Sequence, residues 1–343
     1  MYFVPHRGIF VVAIAASALL VAGCSAAGAE RAAVESPASA APPVAAATTT
    51  YPVTIDNCGT EVTFTQAPTR VVTIKSSTTE LLVALGLTDR IIGQAFPDGP
   101  MPTAVAGHSI TPVEIPVISD KVPGQEAVLD LEPDLVFAGW ESNFGPEGAG
   151  DRDALHSLGV LSYVAPSACK EPGYKPEKLS FDDVFADVSE AGAIFDVPDA
   201  ATTLVADSRA VLDDIAPLPA PLTALWWSSG VDLPYVGAGT GAPQMIMEAA
   251  GLTNVAARVD DTWTQMSMEA IVDANPQVIV LVDSAWSTAA KKKELLAANP
   301  ATAGLDAVKN ERYIVAPFAE TEAGVRNADL AAQIAVEAAR FTP

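Results

Sequence analysis

Glu126–Ser142 reads EAVLDLEPDLVFAGWES, and Glu269–Ser287 reads EAIVDANPQVIVLVDSAWS. Each stretch opens with Glu-Ala and carries an Asp four residues after the Glu (Asp130, Asp273). Each has a Pro seven residues after the Glu (Pro133, Pro276), then an apolar run that ends at a Trp. A helix start followed by a buried strand is the local structure this pattern predicts. A second pair agrees with the first. LLVALGLTDRI at Leu81–Ile91 is echoed by MIMEAAGLTNV at Met245–Val255, with Gly-Leu-Thr in both. The spacings between the paired stretches differ, so the chain is not a tandem array but two lobes of similar build with different loops.

Between the paired stretches, short β-rich runs alternate with helical patterns: Val71–Lys75, Ile91–Gln94, Val117–Ile118, Leu135–Ala138 and Ser162–Val164 as strands. That alternation predicts parallel α/β sheets. Tyr51–Phe64 reads as a small hairpin turning at Asn57–Gly59. Ser76–Thr79 offers N-cap candidates for a helix over Glu80–Leu85. Phe181–Phe195 is helical by its 3.6-residue apolar period, a longer helix over Asp199–Ile215 follows until Pro217 and Pro219 break it, and both lie between the two lobes, where a connector belongs. The second lobe restarts at Ala224–Trp227.

The 343 residues suit roughly two domains. With 19 Lys and Arg against 42 Asp and Glu, the net charge is −23, which repels phosphate backbones and argues against nucleic acid as a partner. The start has a different character. Arg7 precedes a small-residue apolar run over Ile9–Ala22, of signal-peptide rather than membrane-span length. Val21-Ala22-Gly23-Cys24 resembles the lipobox of bacterial lipoproteins, which implies cleavage before Cys24 and lipidation of its thiol. Residues 24–50, rich in Ala, Pro, Ser and Thr, read as a tether with a reach of about 25–30 Å. The expected organisation is signal peptide 1–23, tether 24–50, N-terminal lobe 51–180, connecting helices 181–220 and C-terminal lobe 221–343. Cys58 and Cys169 remain as an even pair, either a disulfide outside the cytoplasm or two buried thiols.

Five tryptophans fall near strand ends or in loops, where ligands of parallel sheets bind. Trp140 follows Leu135–Ala138, Trp226 and Trp227 follow Ala224–Leu225, Trp286 follows Val278–Val282, and Trp263 lies in a loop. Each could equally be core, but facing aromatic walls suit a large, flat, partly polar ligand. Polar candidates beside them are Ser76, Ser77, Thr78, Glu141, Ser142, Ser228, Tyr235 and Thr240. Lys75, Lys121 and Arg326 are the cations placed to meet an anion. The loop Gly237-Ala238-Gly239-Thr240-Gly241 precedes a helix whose N–H groups could hold an anion, although it matches neither the dinucleotide fingerprint nor a P-loop. Three histidines, one of them His6 in the leader, give no metal-ligand cluster. There is no G-x-S-x-G elbow and no HExxH, so neither a catalytic assembly nor a bound cofactor is expected.

PTRVVTI at Pro68–Ile74, ELLVALGLTDRIIG at Glu80–Gly93, EPDLVFA at 132–138, GLTNVA at 251–256, MEAIVDANPQVIV at 268–280 and LDAVKNERYIVAP at 305–317 resemble the substrate-binding proteins of ABC importers for iron-siderophores and cobalamin. The resemblance runs from about Tyr51 to the end. It implies two Rossmann-like lobes with mainly parallel sheets joined by a long connecting helix, and a cleft that binds cargo rather than an enzyme's active site. It also implies a monomer, lipid-anchored on the outer face of the cell membrane, that serves a permease and its ATPase. In such proteins one exposed glutamate per lobe docks on the permease, and the matching positions are Glu126 and Glu269. VTIKSSTTE at Val72–Glu80, AGWESN at Ala138–Asn143, GAGTGAPQMIM at Gly237–Met247 and TEAGVRNAD at Thr321–Asp329 are similar to proteins proposed to import a precursor of the deazaflavin coenzyme F-420. The expected cargo is that flat anion or a ferric siderophore, with cobalamin as the alternative. An extracytoplasmic hydrolase and a structural lipoprotein are the rival classes.

Overall fold

The computed structural model describes residues 47–111 and 113–342. The signal segment, Cys24 and nearly all of the tether lie outside the described residues.

The chain begins with a hairpin, β1 (Val53–Asn57) and β2 (Thr60–Phe64), whose two-residue turn Cys58-Gly59 has positive φ at both positions (53° and 80°). That is the turn geometry whose twist matches a hairpin. There follow β3 (Val71–Ile74), α1 (Ser76–Ala84), β4 (Ile91–Ala95), the short ribbon β5 (Ala104–Val105) and β6 (His108–Ser109), and β7 (Val117–Ser119). Then come α2 (Gln125–Leu129), β8 (Leu135–Ala138), α3 (Arg152–Ser157) and β9 (Leu161–Val164). The five-stranded sheet runs β7-β4-β3-β8-β9, parallel at every pairing. Its strands are four or so residues of Val, Ile, Leu and Phe, as expected for strands covered on both faces. The predicted N-cap serines and threonines are not caps. They are inside α1, which starts at Ser76 with Lys75 as its N-cap residue.

After α4 (Phe181–Ile194) and α5 (Pro198–Asp213), the second sheet is built from β10 (Leu222–Ser229), β11 (Tyr235–Gly237), β12 (Leu252–Asn254), β13 (Trp263–Gln265), β14 (Val278–Asp283) and β15 (Tyr313–Pro317). Its order is β13-β11-β10-β14-β15, with β12 on the same edge of β10 as β11 but lower down. β12, β14 and β15 are parallel to their neighbours; β11 and β13 join antiparallel. The helices are α6 (Ala242–Ala249), α7 (Met268–Ala274), α8 (Ala289–Ala298), α9 (Asp306–Lys309) and α10 (Asn327–Ala339). The repeated stretches are thus α2–β8 and α7–β14, each placing its strand beside the first strand of its sheet.

Strand β10 corrects one reading. It runs through Trp226 and Trp227 and on to Ser229. Because successive side chains of a strand point to opposite faces, Trp226 enters the core with Val280 and Met245, and Trp227 enters the opposite layer with Leu281 and Ile271. Both are fully buried. They are core, not cleft walls.

The connection is helical and repeated. Leu179 and Phe181 pack in the second lobe's core, while Val188, Ile194 and Phe195 pack in the first lobe's. Ala201 and Leu204 start α5 in the first core, and Leu212 returns to the second. The chain therefore crosses between the sheets three times: by the segment 165–180, by α4 and by α5. Cys58 and Cys169 form a disulfide that ties the start of that first crossing to the hairpin turn. Asn57 locks the same place, donating from Nδ2 to the Val164 carbonyl and accepting from the Val164 N–H, both at 2.8 Å.

Candidate functional site

A cleft of about 650 Å³ lies between the lobes. The first lobe contributes Ser77, Gly139, Trp140 and Ser142; the crossing segment contributes Ser167–Lys170, Lys175, Pro176 and Leu179. The second lobe contributes Ser228, Tyr235, Thr240–Ala242, Asp261–Trp263, Phe318 and Thr321–Ala323. The mouth is aromatic on both sides and polar at its corners.

Trp140 sits just past the carboxyl end of β8 and is held from every direction. Its backbone N–H donates to Asn143 Oδ1 at 3.0 Å, and its indole Nε1 donates to Glu322 Oε2 of the other lobe at 2.6 Å. The Lys75 ammonium lies 3.7 Å from the ring centroid and Phe96 meets it edge-on at 5.8 Å. Gly139 makes this possible, since a Cβ there would fall 2.8 Å from both Lys75 Cβ and Ser77 Oγ. On the opposite wall, pairing of β11 with β13 stacks Tyr235 on Trp263, with centroids 5.9 Å apart and planes at 11°.

The cations expected to meet an anion are occupied elsewhere. Lys75 is buried, pairs with Asp98 and contacts Phe96 and Phe318. Burial pulls its ammonium below the usual lysine range, against the opposing pull of Asp98. Arg326 bridges Glu80 of the first lobe (3.1 Å) and Glu320 of the second. Burial raises the Glu80 carboxyl to about 8, although Arg326 works in the other direction. Burial likewise raises Glu322, opposed mainly by Lys75. Lys75, Arg326, Glu80 and Glu320 lie at the back of the cleft and do not line it, whereas Glu322 reaches them from the lining. Lys121 is exposed outside it.

Of the other expected residues, Ser77, Trp140, Ser142, Ser228, Tyr235, Thr240 and Trp263 meet in the cleft. Ser76 and Thr78 are buried in α1, where Ser76 Oγ accepts from the Asp98 N–H and Thr78 Oγ1 donates to the Ile74 and Lys75 carbonyls. Glu141 lies at the rim and accepts the Lys170 N–H. Trp286 is 61% exposed and packs edge-on against Phe318 at 4.9 Å, outside the lining. Glu126 and Glu269 are exposed near the starts of α2 and α7, and neither carboxylate has an ion-pair partner among the described residues.

The sequence reading missed Lys170, Lys175, Asp261, Phe318 and Glu322 as lining residues. One signal was available. KEPGYKPEKL at Lys170–Leu179 holds three of the chain's 19 cations in ten residues. Among the described residues no group of His, Cys, Asp or Glu has the geometry to hold a metal ion.

The family model for periplasmic binding proteins matches residues 71–320. The chain belongs to that family. It is 28% identical over 292 residues to an uncharacterized ABC transporter substrate-binding lipoprotein of Bacillus subtilis, covering 81% of this chain and 83% of that one. It is 28% identical over 283 residues to a cobalamin-binding protein of Halobacterium salinarum, covering 80% and 69%. A solved periplasmic binding protein of Veillonella parvula superposes with a TM-score of 0.70 at 27% identity, over 85% of this chain and 98% of that one. An Fe3+-hydroxamate transport protein of Saccharomonospora viridis gives a TM-score of 0.70 at 25% identity, over 84% and 99%. Both superpositions carry the two-sheet fold of this family.

Proposed function

We propose that this chain is the lipid-anchored, extracytoplasmic substrate-binding component of an ABC importer, and that its cargo is a large, flat ring system held between the lobes. One observation carries the reading: Trp140 on one wall and the stacked Tyr235–Trp263 pair on the other line a single cleft of about 650 Å³. Rings on both walls favour a cargo with two π-faces. The volume is that of a site for a drug-sized molecule. The family, and the transporter named for the Bacillus relative, support the transport role. The finer reading is a deazaflavin coenzyme precursor, a tricyclic ring of that size. The names of two relatives favour a second reading, a corrinoid or a ferric hydroxamate.

Delivery follows when Glu126 and Glu269, one on each lobe and both without an ion-pair partner among the described residues, seat the protein on basic residues of the permease. The three chain crossings and the Arg326 bridge between Glu80 and Glu320 allow only small changes in lobe separation. Binding then resembles occupation of a preformed cleft.

Calorimetric titration of the purified protein tests the cargo, with a deazaflavin precursor, a ferric hydroxamate and cobalamin as probes. Saturable binding of the deazaflavin alone supports the finer reading. Binding of cobalamin or the ferric complex alone replaces it with the second, and no binding of any probe removes the flat-ring cargo.

A further inference from the structure

The loop Gly237–Gly241 and the start of α6 form one corner of the cleft, and this corner has hydrogen-bonding capacity that the protein itself leaves unused. Thr240 is 9% exposed, lines the cleft, and its Oγ1 has no partner among the described residues. Burying a hydroxyl without a partner costs about 1–3 kcal/mol. Its own backbone is fully engaged, the N–H donating to the Asp261 carbonyl at 3.0 Å and the carbonyl accepting from the Leu179 N–H at 2.8 Å. The hydroxyl is therefore held in place but unsatisfied.

Next to it, the Gly241 and Ala242 N–H groups open the eight-residue helix α6 and donate to no acceptor among the described residues. Pro243 follows and has no N–H to offer. Gly241 permits a tight approach, because a Cβ there would fall 2.9 Å from Thr262 Cβ and 3.1 Å from the Thr262 carbonyl oxygen. Gly239 is tighter still, its Cβ position lying 2.3 Å from the Ala257 carbonyl oxygen. The loop is thus pressed against residues 257–262, and Thr240, Gly241 and Ala242 line the cleft.

A cation completes the corner. Lys175 lines the cleft on the crossing segment, and its ammonium stands 3.9 Å from Asp261 Oδ1, a loose pair that is about half exposed. Asp261 keeps a second partner if Lys175 moves, since its Oδ1 accepts the Thr262 N–H at 2.7 Å. The segment carrying Lys175 is fixed on both sides. The Cys58–Cys169 disulfide and the Tyr174 hydroxyl, donating to Asp56 at 2.6 Å, hold it to the hairpin, and Lys178 pairs with Glu248 of α6 at 2.7 Å. Two backbone donors at a helix start, a hydroxyl and a mobile ammonium are the group types that take up a phosphate. A lysine serves in such a site as a point charge.

We propose that the corner formed by Thr240, the Gly241 and Ala242 N–H groups and Lys175 is a subsite for a phosphate group on the cargo. This rests on the reading that the cleft holds a flat ring cargo. It adds that the cargo carries a phosphate at one end, and that Lys175 transfers from Asp261 to that phosphate on binding.

The test is calorimetric titration of the purified protein with riboflavin and with flavin mononucleotide, a pair that differs by one phosphate. The expected result is binding of flavin mononucleotide at least about tenfold tighter at low salt, with the preference shrinking as ionic strength rises. Thr240→Val and Lys175→Gln should each narrow the ratio of the two dissociation constants about tenfold, and Lys175→Arg should restore most of it. Lys175 is exposed, so its variants report even if Thr240→Val does not fold. Equal binding of the two flavins overturns the phosphate subsite and leaves the flat-ring cargo standing. A preference that survives both substitutions also overturns the subsite. Failure of both flavins to bind overturns the subsite and the tricyclic cargo together.

Discussion

The back and the mouth of the cleft use charge in opposite ways. At the back, Lys75 pairs with Asp98 inside the first lobe, and Arg326, paired with Glu320 of its own lobe, ties the second lobe to Glu80 of the first, all withdrawn from water. At the mouth, Lys175 is half exposed and loosely paired, and Thr240 and the start of α6 keep donors unused. Charges that look alike in sequence therefore do different work. Those at the back fix the distance between the walls, and those at the mouth stay available for what enters between them.

The contrast is sharpest if the back is broken. Lys75→Met leaves Asp98 buried without a counter-charge, and removal of one partner of a buried pair costs about 3–5 kcal/mol. Urea unfolding should show a loss of that size, while Lys175→Gln should move the midpoint by less than about 0.5 kcal/mol. Similar losses for the two would erase the distinction.

Tryptophans divide along the same line. Trp226→Ala should destabilise by about 3–5 kcal/mol as a core truncation. Trp263→Ala removes a partly exposed wall residue, so it should cost less stability and lower cargo affinity by about tenfold or more.

The back should also respond to pH. Glu80 has a folded-state pKa raised to about 8, well above its value of 4.5 outside the fold. The fold favours its neutral form, so that contribution is fully present below about pH 4.5 and is lost as pH rises through about 8. Glu320, Glu322 and Asp329 are shifted in the same direction, chiefly by burial. The thermal midpoint should fall between about pH 5 and pH 9, and Glu80→Gln should flatten that fall. A midpoint that rose over this range would mean the carboxylates are stabilised as charges.

The smallest effect on the isolated protein is expected at Glu126 and Glu269, the glutamates proposed to meet the permease. Glu126→Ala and Glu269→Ala should each change stability by less than about 0.5 kcal/mol and leave cargo affinity as it was. Uptake by cells carrying the permease should nonetheless drop severalfold. Loss of affinity in the Glu126 variant would show that its role lies in the cleft.

Much of the architecture could be read from the chain because it is written in local periodicity. The doubled Glu-Ala…Asp…Pro pattern located α2–β8 and α7–β14, the 3.6-residue spacing located α4, and the prolines at 217 and 219 bounded α5. Trp140 was found because it follows a strand at the cleft, whereas Tyr235 and Trp263, the latter read as a loop residue, open the antiparallel strands β11 and β13. Trp226 and Trp227 were misread because β10 continues two residues beyond them, which places adjacent side chains on opposite buried faces. Arg326 was misread for a different reason: its partner Glu80 is 246 residues away, and no spacing rule reaches that far. Lys175 escaped notice because only the path of the crossing segment brings it to the mouth.

That path has a consequence for how the molecule comes into being. The first lobe's core is closed by Val188, Phe195 and Leu204 from the connecting helices and by Val325 from beyond the last strand, while Asp329 accepts the Ala106 N–H. A nascent chain that has emerged only as far as β9 holds the whole first sheet but lacks the side chains that seal it. Contacts this distant in sequence form late. The two halves, however alike in pattern, are sealed together, and the first lacks part of its core until Val325 has been made.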